Sequence, residues 1–409
     1  MSDKSMYSNL LNGEVKFESP WDHESLHGRM GKLLSHQGER VAYLYGTPDT
    51  STFRYRVFNV IEAVSAVPDC QIGVGWFAAS EVDHLRAILP RLSTLVLARV
   101  RYSRAVSDLI TTARCFGVRV LFDCDDLVFD LRYGQLVSVN NDQAFDNEAH
   151  VDSWYAYVGR MNATAMQCDS GIASNPFLAE KMQRVCEGQT AIIPNFLNRR
   201  QEEISRRLLE AKVARSFKGD GRVTIGYFSG SPTHNKDFRV ALDALIRLMK
   251  EDENVDIRIV GFMEGHSELA CLGHRVETIP LQDWMNLQVK IAEVDINIAP
   301  LQLNDFTHCK SELKYFEAAA VGTYSVLSRS HTLEKAVLSP DDATVIENWQ
   351  WFDGLKAAVS HVRNTQRYAI QAQRTARCVY SRYGGDRNTE AILAALRKPQ
   401  LAPAKRLPC

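Results

Sequence analysis

Three features are missing from this 409-residue sequence, and each absence argues against a class of protein. No apolar stretch approaches the roughly 20 residues that a helix needs to cross a bilayer. The N-terminus, MSDKSMYSNLLNGEVKFESPWD, lacks the basic and then apolar segments of a signal peptide. The nine cysteines form no CxxC pair, which favours reduced thiols over a disulfide framework or a zinc site. We therefore expect a soluble, cytoplasmic globular protein.

The sequence also has no excess of one charge. Its formal net charge is -1 and its pI is about 6.8, so a generally basic surface for nucleic acid is not indicated. No internal repeat or low-complexity tract stands out. With 45% hydrophobic residues, the chain is long enough to form two ordinary domains with full cores.

Short apolar runs alternate with helical segments along most of the chain. RVAYLYG, QIGVGWF, LSTLVLARV and VRVLFDCDD form one series, and VTIGYF, VDIRIVG, DINIAPL and TYSVLS form a second. Such alternation is typical of parallel, doubly wound sheets. The sequence therefore predicts an α/β fold with two Rossmann-like domains facing a cleft. The expected divisions are an N-terminal extension (1–39), a first domain (40–198), a connector (199–220), a second domain (221–375) and closing C-terminal helices with a tail (376–409).

The segment CKSELKYFEAAAVG has an unusual charge pattern. We predict a helix from Lys310 to Ala320, in which Lys310, Lys314 and Glu317 lie on one face. Two lysines in the first turns repel each other and oppose the positive end of the helix dipole. A bound diphosphate would make these charges favourable, with Ser311 beside it and Glu317 accepting ribose hydroxyls. The alternative is a surface pair of Lys314 and Glu317, with Lys310 solvated.

The segment VTIGYFSGSPTHNKDF places a turn of small residues between a strand and a helix. Ser229, Gly230 and Ser231 would let backbone N–H groups approach a phosphate. Lys236 falls in the first turn of the helix, and His234 next to it could touch the diphosphate or the group attached to it. The alternative is a solvated turn with a helix cap and an exposed histidine.

Three carboxylates end the predicted strand LFDCDD. Asp125 and Asp126 are the candidate catalytic residues, because a carboxylate at a strand end facing the cleft could orient or deprotonate a substrate hydroxyl. Asp123 or Asp126 could instead cap the following turn. A metal is the weaker interpretation, since no further ligand cluster stands near, and it would be a Mg²⁺-type site.

Arginines follow two strands of the first domain, in FRYR and RVRYSR. Arg54, Arg56 and Arg101 could hold an anionic acceptor such as a lipid-linked diphosphate or an acidic glycan. A solvated basic face would explain the same pattern.

Taken together, these motifs resemble the GT-B glycosyltransferases, in particular the retaining family-four group and its rhamnosyl- and polysaccharide-assembling branch. The resemblance rests on IGYFSGSPTHNKDF, IRIVG, EVDINIAPL and CKSELKYFEAAAVGTYSVLS in the second half. In the first half it rests on FRYRVFNVIEAV, LFDCDDLVFD and ASNPFLAEKM. It covers most of the chain from about Arg40.

The resemblance implies specific roles for several residues. Glu317 would hold the nucleotide ribose, Lys236 the diphosphate, and the backbone around Leu281 the base. The family often has an arginine where this chain has Ser231, and a glutamate where it has Cys309. Lys310 and Lys314 could replace the arginine functionally.

The expected function is transfer of a hexosyl or deoxyhexosyl group from a nucleotide diphosphate sugar to a hydroxyl of a glycan or lipid-linked acceptor. The resemblance implies retention of configuration, no obligatory metal or other cofactor, and a role in polysaccharide synthesis. Nucleic acid is not an expected partner. Peripheral contact with the inner face of a membrane, through TEAILAALRK and the basic tail, is left open. Two alternatives are a nucleotide-sugar epimerase or hydrolase of the same fold, and a non-catalytic glycan- or partner-binding subunit.

Overall fold

The computed structural model describes residues 17–140, 147–230, 234–262 and 267–398. Its first sheet has six parallel strands in the order β2-β1-β3-β4-β5-β6. These strands are β1 (Glu39–Tyr45), β2 (Ile72–Ala78), β3 (Thr94–Ala98), β4 (Arg119–Cys124), β5 (Ser170–Ala173) and β6 (Ala191–Ile192). Helices α1 (Leu26–Ser35), α2 (Asn59–Ser65), α3 (Val82–Ile88), α4 (Arg104–Cys115), α5 (Gly134–Asn140), α6 (Glu148–Ala165) and α7 (Pro176–Met182) surround the sheet.

The second sheet repeats this architecture. It has six parallel strands in the order β12-β11-β10-β7-β8-β9. The strands are β7 (Val223–Ser229), β8 (Val255–Gly261), β9 (Val276–Ile279), β10 (Ile296–Ala299), β11 (Tyr324–Ser328) and β12 (Thr344–Ile346). Its helices are α9 (Asn235–Glu251), α10 (Trp284–Ala292), α11 (Asp305–His308), α12 (Leu313–Ala320), α13 (His331–Ala336), α14 (Trp351–Arg363) and α15 (Thr365–Tyr383). The predicted pair of Rossmann-like domains is confirmed.

The central strands are buried on both faces, as parallel strands covered by helices must be. All five residues of β3 are buried, and so are all five of β11. β1 has a buried run of five residues at its carboxyl end. Continuous apolar runs therefore occur where a half-exposed strand would alternate, which explains why the sequence pattern identified these strands.

Two crossings of the chain connect the domains, and they lie side by side. The first is α8 (Arg199–Ala214), and the second follows α15 and leads into α16 (Thr389–Leu396). The N–H of Leu197 donates to the carbonyl of Tyr383 at 2.9 Å, so the crossings are hydrogen-bonded to each other. α15 runs without a break through the boundary expected at residue 375.

Helix α16 returns to the first domain and buries its apolar face there. Ile392 and Leu396 are fully buried, and the hydroxyl of Thr94 in β3 donates to the carbonyl of Leu396 at 3.1 Å. The apolar face considered for membrane contact is thus covered by protein. Lys405 and Arg406, the basic residues of the tail, lie outside the described residues. None of the helices described is both long and apolar enough to cross a membrane.

The predicted helix from Lys310 to Ala320 begins three residues later than expected. A short helix, α11, ends at His308, and α12 begins only at Leu313. Asn304 caps α11 in a box with Thr307, which makes this turn a separate unit. Gly322 ends α12 with φ of 70°, where a Cβ would lie 2.7 Å from Leu209 of α8. Only glycine fits this close approach without strain.

Candidate functional site

Two lysines and a buried histidine lie together at the carboxyl edge of the second sheet. Lys310 precedes α12, Lys314 lies in its first turn, and His234 caps α9 after β7. The Nζ of Lys310 is 3.3 Å from Asp237 Oδ2, whereas the Nζ of Lys314 lies 4.5 Å above the Tyr227 ring. Within the described part of the chain, no carboxylate lies within 4 Å of the Lys314 ammonium. Lys314 therefore has no carboxylate in direct contact, although the charges of Asp237 and Glu317 act on it from a greater distance and raise its pKa.

The pKa directions show that the cations are crowded. Burial, followed by the repulsion of Lys310, lowers the pKa of Lys314 to about 8. Burial, followed by the charges of Lys310 and Lys314, holds the pKa of His234 well below its usual value. Its Nδ1 is buried, and no hydrogen-bond partner for it occurs among the residues that the structure describes. An anion bound here would favour the protonated lysines and could accept hydrogen bonds from the two helix N-termini.

The turn before α9 contains other predicted site residues. Ser229 is buried at the end of β7, and Gly230 is exposed with open space around the position of a Cβ. Ser231 lies outside the described residues. Lys236 is in the first turn of α9, and its Nζ donates at 2.7 Å to the carbonyl of Val139 in the first domain. Lys236 therefore reaches across the cleft in this closed arrangement of the domains.

Leu281 lies on the same side of the second domain, next to a sharp bend after β8. Gly261 has φ of 98°, and a Cβ there would lie only 1.9 Å from the carbonyl oxygen of Ser229. The bend brings Phe262 close to Ser229, and the N–H of Phe262 donates to the Ser229 carbonyl. Phe262 and Leu281 are both exposed, by 42% and 51%. Apolar surface of this kind, beside the cationic cluster, suits the face of a planar ring.

The carboxylate of Glu317 contacts residues that lie outside the second domain. Its Oε1 accepts hydrogen bonds from the hydroxyl of Tyr55 and from Nε2 of Gln201 at 3.0 Å, and Arg54 Nη2 lies 3.5 Å away. The side chain is only 5% exposed. Tyr55 and Arg54 belong to the π-helical turn Arg54–Phe58 of the first domain, and Gln201 belongs to α8. Residues outside the second domain thus hold this carboxylate.

The first domain presents a charge cluster of its own. Arg99 follows β3 and adopts φ of 48°, a conformation that non-glycine residues rarely take. Its Nη1 lies 3.1 Å from Asp125 and 3.4 Å from Asp126. Burial raises the pKa of Asp125, and Arg99 opposes that rise. A carboxylate with a raised pKa is a stronger base, as general base catalysis requires.

Asp123 and two of the three predicted acceptor arginines are committed to protein contacts. Arg56 is fully buried and pairs with both oxygens of Asp123, at 2.8 and 3.2 Å. Arg54 is 4% exposed and donates to Oε1 of Gln201. Neither arginine has surface for an acceptor in this arrangement, because both fill the interior between β4, α8 and α12. Arg101 is exposed, near the ring of Tyr157.

The two carboxyl edges face each other. Asn175, the cap of α7, donates to the carbonyl of Cys309 at 2.8 Å, and Lys181 pairs with Asp305 at 2.7 Å. Burial raises the pKa of the Cys309 thiol, the charge of Lys181 opposes the rise, and the charges of Asp305 and Asp126 add to it. These contacts close the cleft, and two cavities in the structure lie elsewhere, one at the amino edge of the second sheet and one beside α15.

Sequence reasoning missed four residues of this region: Arg99, Tyr55, Gln201 and Asp237. Arg99 stands in the motif RVRYSR, but nothing in the sequence shows that Arg99 rather than Arg101 turns towards the carboxylates. Tyr55 and Gln201 meet Glu317 over more than 100 residues of chain. Asp237 directly follows Lys236 and could have been identified as a partner for a nearby lysine.

Comparison with solved structures identifies proteins of the same two-domain architecture. HepE of Anabaena, in complex with UDP and glucose, aligns with a TM-score of 0.56 at 12% identity, covering 87% of this chain and 98% of HepE. Sucrose-phosphate synthase of Thermosynechococcus elongatus aligns with a TM-score of 0.57 at 14% identity, covering 87% and 98%. WaaG, a glycosyltransferase involved in lipopolysaccharide biosynthesis, aligns with a TM-score of 0.57 at 14% identity, covering 86% and 99%.

These likenesses establish the fold. The chain has the GT-B fold, so the predicted resemblance to GT-B glycosyltransferases is confirmed at the level of architecture. No protein-family model matches the chain, and no curated protein matches it. The family-four branch and the roles of individual residues stay predictions.

Proposed function

We propose that the protein is a glycosyltransferase that moves a sugar from a nucleotide diphosphate sugar to a hydroxyl group. The second domain holds the donor, and the first domain holds a glycan or lipid-linked acceptor. The observation that carries the proposal is the pair of crowded lysines, Lys310 and Lys314, which lie beside the buried His234 where the helices α9 and α12 begin. UDP and UDP-glucose complexes of HepE support a nucleotide sugar as the donor.

The leaving diphosphate is the group that this edge would stabilise. As the bond between the sugar and the diphosphate breaks, negative charge grows on the diphosphate, and fixed cations and helix N–H groups lower the energy of that state. Lys310, Lys314 and Lys236 supply the charge, together with the backbone of Ser229 to Ser231. We propose that no metal ion is obligatory. The base would lie against Phe262 and Leu281, and Glu317 would bind the ribose.

The acceptor hydroxyl would approach Asp125 and Asp126, which lie beside Arg99 at the carboxyl edge of the first sheet. One of them would orient the hydroxyl or remove its proton, and Arg101 would bind an anionic part of the acceptor. We propose retention of the sugar's configuration and a role in polysaccharide synthesis, both on the resemblance to the family-four branch. The transferred group would be a hexose or deoxyhexose.

The first test is thermal stabilisation by a panel of UDP, dTDP, GDP, ADP and CDP. A nucleotide present at about 100 times its dissociation constant should add about 2.7 kcal/mol to stability. The variant Lys310→Ala/Lys314→Ala should lose this shift. Lys250→Ala/Lys335→Ala is the matched control, because it removes the same charge from exposed positions of the same domain. A parent protein that responds to none of the five nucleotides would contradict the proposal.

One observation favours a second candidate function, a non-catalytic subunit that binds a glycan or a partner. Cys309 occupies the position where the family often has a glutamate for the donor sugar, and its side chain is fully buried among apolar residues of the first domain. The position therefore offers no carboxylate to a sugar. Nucleotide binding without hydrolysis or transfer, across a range of nucleotide sugars and acceptors, would support this candidate.

A further inference from the structure

The carboxylate of Glu317 is held asymmetrically. The hydroxyl of Tyr55, the amide of Gln201 and the guanidinium of Arg54 all contact Oε1. Among the residues that the structure describes, none contacts Oε2. One oxygen of the group assigned to the ribose is thus occupied by protein, and the other is left for a further donor. A carboxylate can accept several hydrogen bonds, so both uses are compatible.

We propose that Tyr55 and Gln201 position the Glu317 carboxylate for the ribose, so that tight nucleotide binding depends on closure of the first domain onto the second. The proposal rests on the proposed function, because it assumes that a nucleotide ribose meets Glu317. Tyr55 and Gln201 are positioning residues, since they would act on the nucleotide only through Glu317.

The orientation of Gln201 follows from its two partners. Its Oε1 lies 2.8 Å from Nη1 of Arg54, and a guanidinium can only donate hydrogen bonds. The amide oxygen must therefore face Arg54, which leaves Nε2 to donate to Glu317. The Nε of Arg54 donates to the carbonyl of Thr50 at 2.9 Å, so the arginine is itself fixed. The carboxylate is held by a chain of hydrogen bonds whose donors and acceptors are all determined.

Tyr55 is fixed as a donor as well. Burial raises the pKa of its hydroxyl, and the negative charge of Glu317 adds to the rise, so the group keeps its proton throughout the physiological range. Its ring packs edge to face on Phe316, at 6.3 Å between centroids. Phe316 is adjacent to Glu317 in α12, so Tyr55 makes both an apolar and a polar contact with the same turn of this helix.

The contacts of Tyr55 and Arg54 with Glu317 exist only while the domains are closed, because both residues belong to the first domain and Glu317 belongs to the second. Gln201 lies on α8, which packs on the second domain through Ile204 and Leu208, so its contact does not depend on closure. Separation of the domains would leave the carboxylate held by Gln201 alone, and a nucleotide would then have to order it on binding. By linkage, a nucleotide that needs the ordered carboxylate favours the closed arrangement to the same extent.

The test compares two probes, UDP and 2′,3′-dideoxy-UDP, by calorimetric titration of the full chain. If the panel selects another base, the corresponding pair of that base replaces them. In the parent protein, loss of the ribose hydroxyls should weaken binding by about tenfold or more, since a hydrogen bond to a charged group is lost. In Tyr55→Phe, UDP should bind more weakly, whereas dideoxy-UDP should bind as before. The ratio of the two dissociation constants should therefore fall to within about threefold.

The ratio separates positioning from a merely structural role. A structural defect would weaken both probes alike and leave the ratio unchanged, which would overturn the proposal, as would tighter UDP binding by Tyr55→Phe. Tyr43→Phe is the matched control, because this hydroxyl is buried in the same domain and has no hydrogen-bond partner in the described part of the chain. It should change neither affinity.

A second variant tests the proposal independently, in case Tyr55→Phe does not fold. Gln201→Met keeps the length of the side chain and removes only the amide, and it should lower the ratio in the same way. Failure of the proposed function would look different, because the parent protein itself would then bind neither probe. A parent protein that binds both probes equally well would overturn the inference while leaving nucleotide binding intact.

Discussion

The facing edges of the two domains differ in how their charged side chains are paired. In the first domain, Arg99 is matched by Asp125 and Asp126, and Arg56 by Asp123. In the second domain, Lys310 pairs with Asp237, but no carboxylate of the described residues lies within 4 Å of the Lys314 ammonium. Charged groups that are paired at contact distance can hold their own geometry. Repulsion between two lysines, one of them without such a partner, has a cost that a bound anion removes.

This difference indicates which edge needs a ligand. Burial, followed by the repulsion of Lys310, lowers the pKa of Lys314 to about 8, and a bound anion would oppose both effects. In the first domain burial raises the pKa of Asp125 and Asp123, but arginines pair with both carboxylates, and the backbone at Arg99 is strained. Strain of that kind is kept where a side chain must be held in one direction. We expect the second domain to determine nucleotide affinity and the first domain to determine turnover.

The largest expected effect tests this division directly. Asp125→Asn and Asp126→Asn should be made separately, and at least one of them should lower kcat by about 100- to 10,000-fold, as expected for loss of a general base. UDP affinity should stay within about twofold of the parent value in both, because the carboxylates do not touch the nucleotide.

Steady-state rates and calorimetric titrations provide both quantities. Asp152→Asn, an exposed change on α6, is the control for general effects of a lost charge in this domain. If UDP affinity fell in parallel with kcat, the proposed separation of roles between the domains would be wrong.

The next effect concerns the buried pair of Arg56 and Asp123. Arg56→Met should lower the free energy of unfolding by about 3–5 kcal/mol, because it leaves a buried carboxylate without its partner. Burial already raises the pKa of Asp123 to about 6 even with Arg56 present, so desolvation outweighs the attraction. The double variant Arg56→Met/Asp123→Asn should therefore recover part of the loss. Urea denaturation measures both, and a double variant no more stable than the single one would contradict this account.

The smallest effect is a pH dependence at the second domain. A bound diphosphate favours protonated Lys314, so its pKa should rise on binding, and UDP affinity should fall as the pH increases above about 8. The decline should approach tenfold per pH unit, since one proton is taken up with the nucleotide. Titrations between pH 7 and 10 avoid the ionisation of the terminal phosphate of UDP, which occurs at about pH 6.

Lys314→Arg sharpens this prediction, because arginine keeps its charge throughout that range. The variant should still bind UDP, and its affinity should be nearly constant up to pH 10. An equally steep decline in Lys314→Arg would assign the titration to another group.

The sequence predicted the architecture well because parallel strands leave a strong pattern. The run RVAYLYG was expected as a strand over Arg40 to Gly46, and β1 spans Glu39–Tyr45. Such runs are buried on both faces, so their apolar character does not depend on distant partners. The cationic edge was also recognisable, since Lys310 and Lys314 are local neighbours whose charges oppose the helix dipole.

What the sequence did not reveal depends on long-range pairing. Arg56 was expected to hold an acceptor, but it pairs with Asp123, 67 residues away in the sequence. No local pattern distinguishes a cation that awaits a ligand from one that is neutralised inside the fold. The start of α12 was misplaced for a similar reason, because the turn at Cys309 is set by contacts with α7 of the other domain.

The return of α16 to the first domain has a consequence for biosynthesis. Leu396 and Ala395 accept hydrogen bonds from Thr94 and Arg119, so residues 389–398 complete a domain whose last strand ends at Ile192. A ribosome makes these residues only after the entire second domain. Until then, part of the apolar surface of the nascent first domain stays exposed. The first domain therefore cannot complete its folding before the second domain has been synthesised.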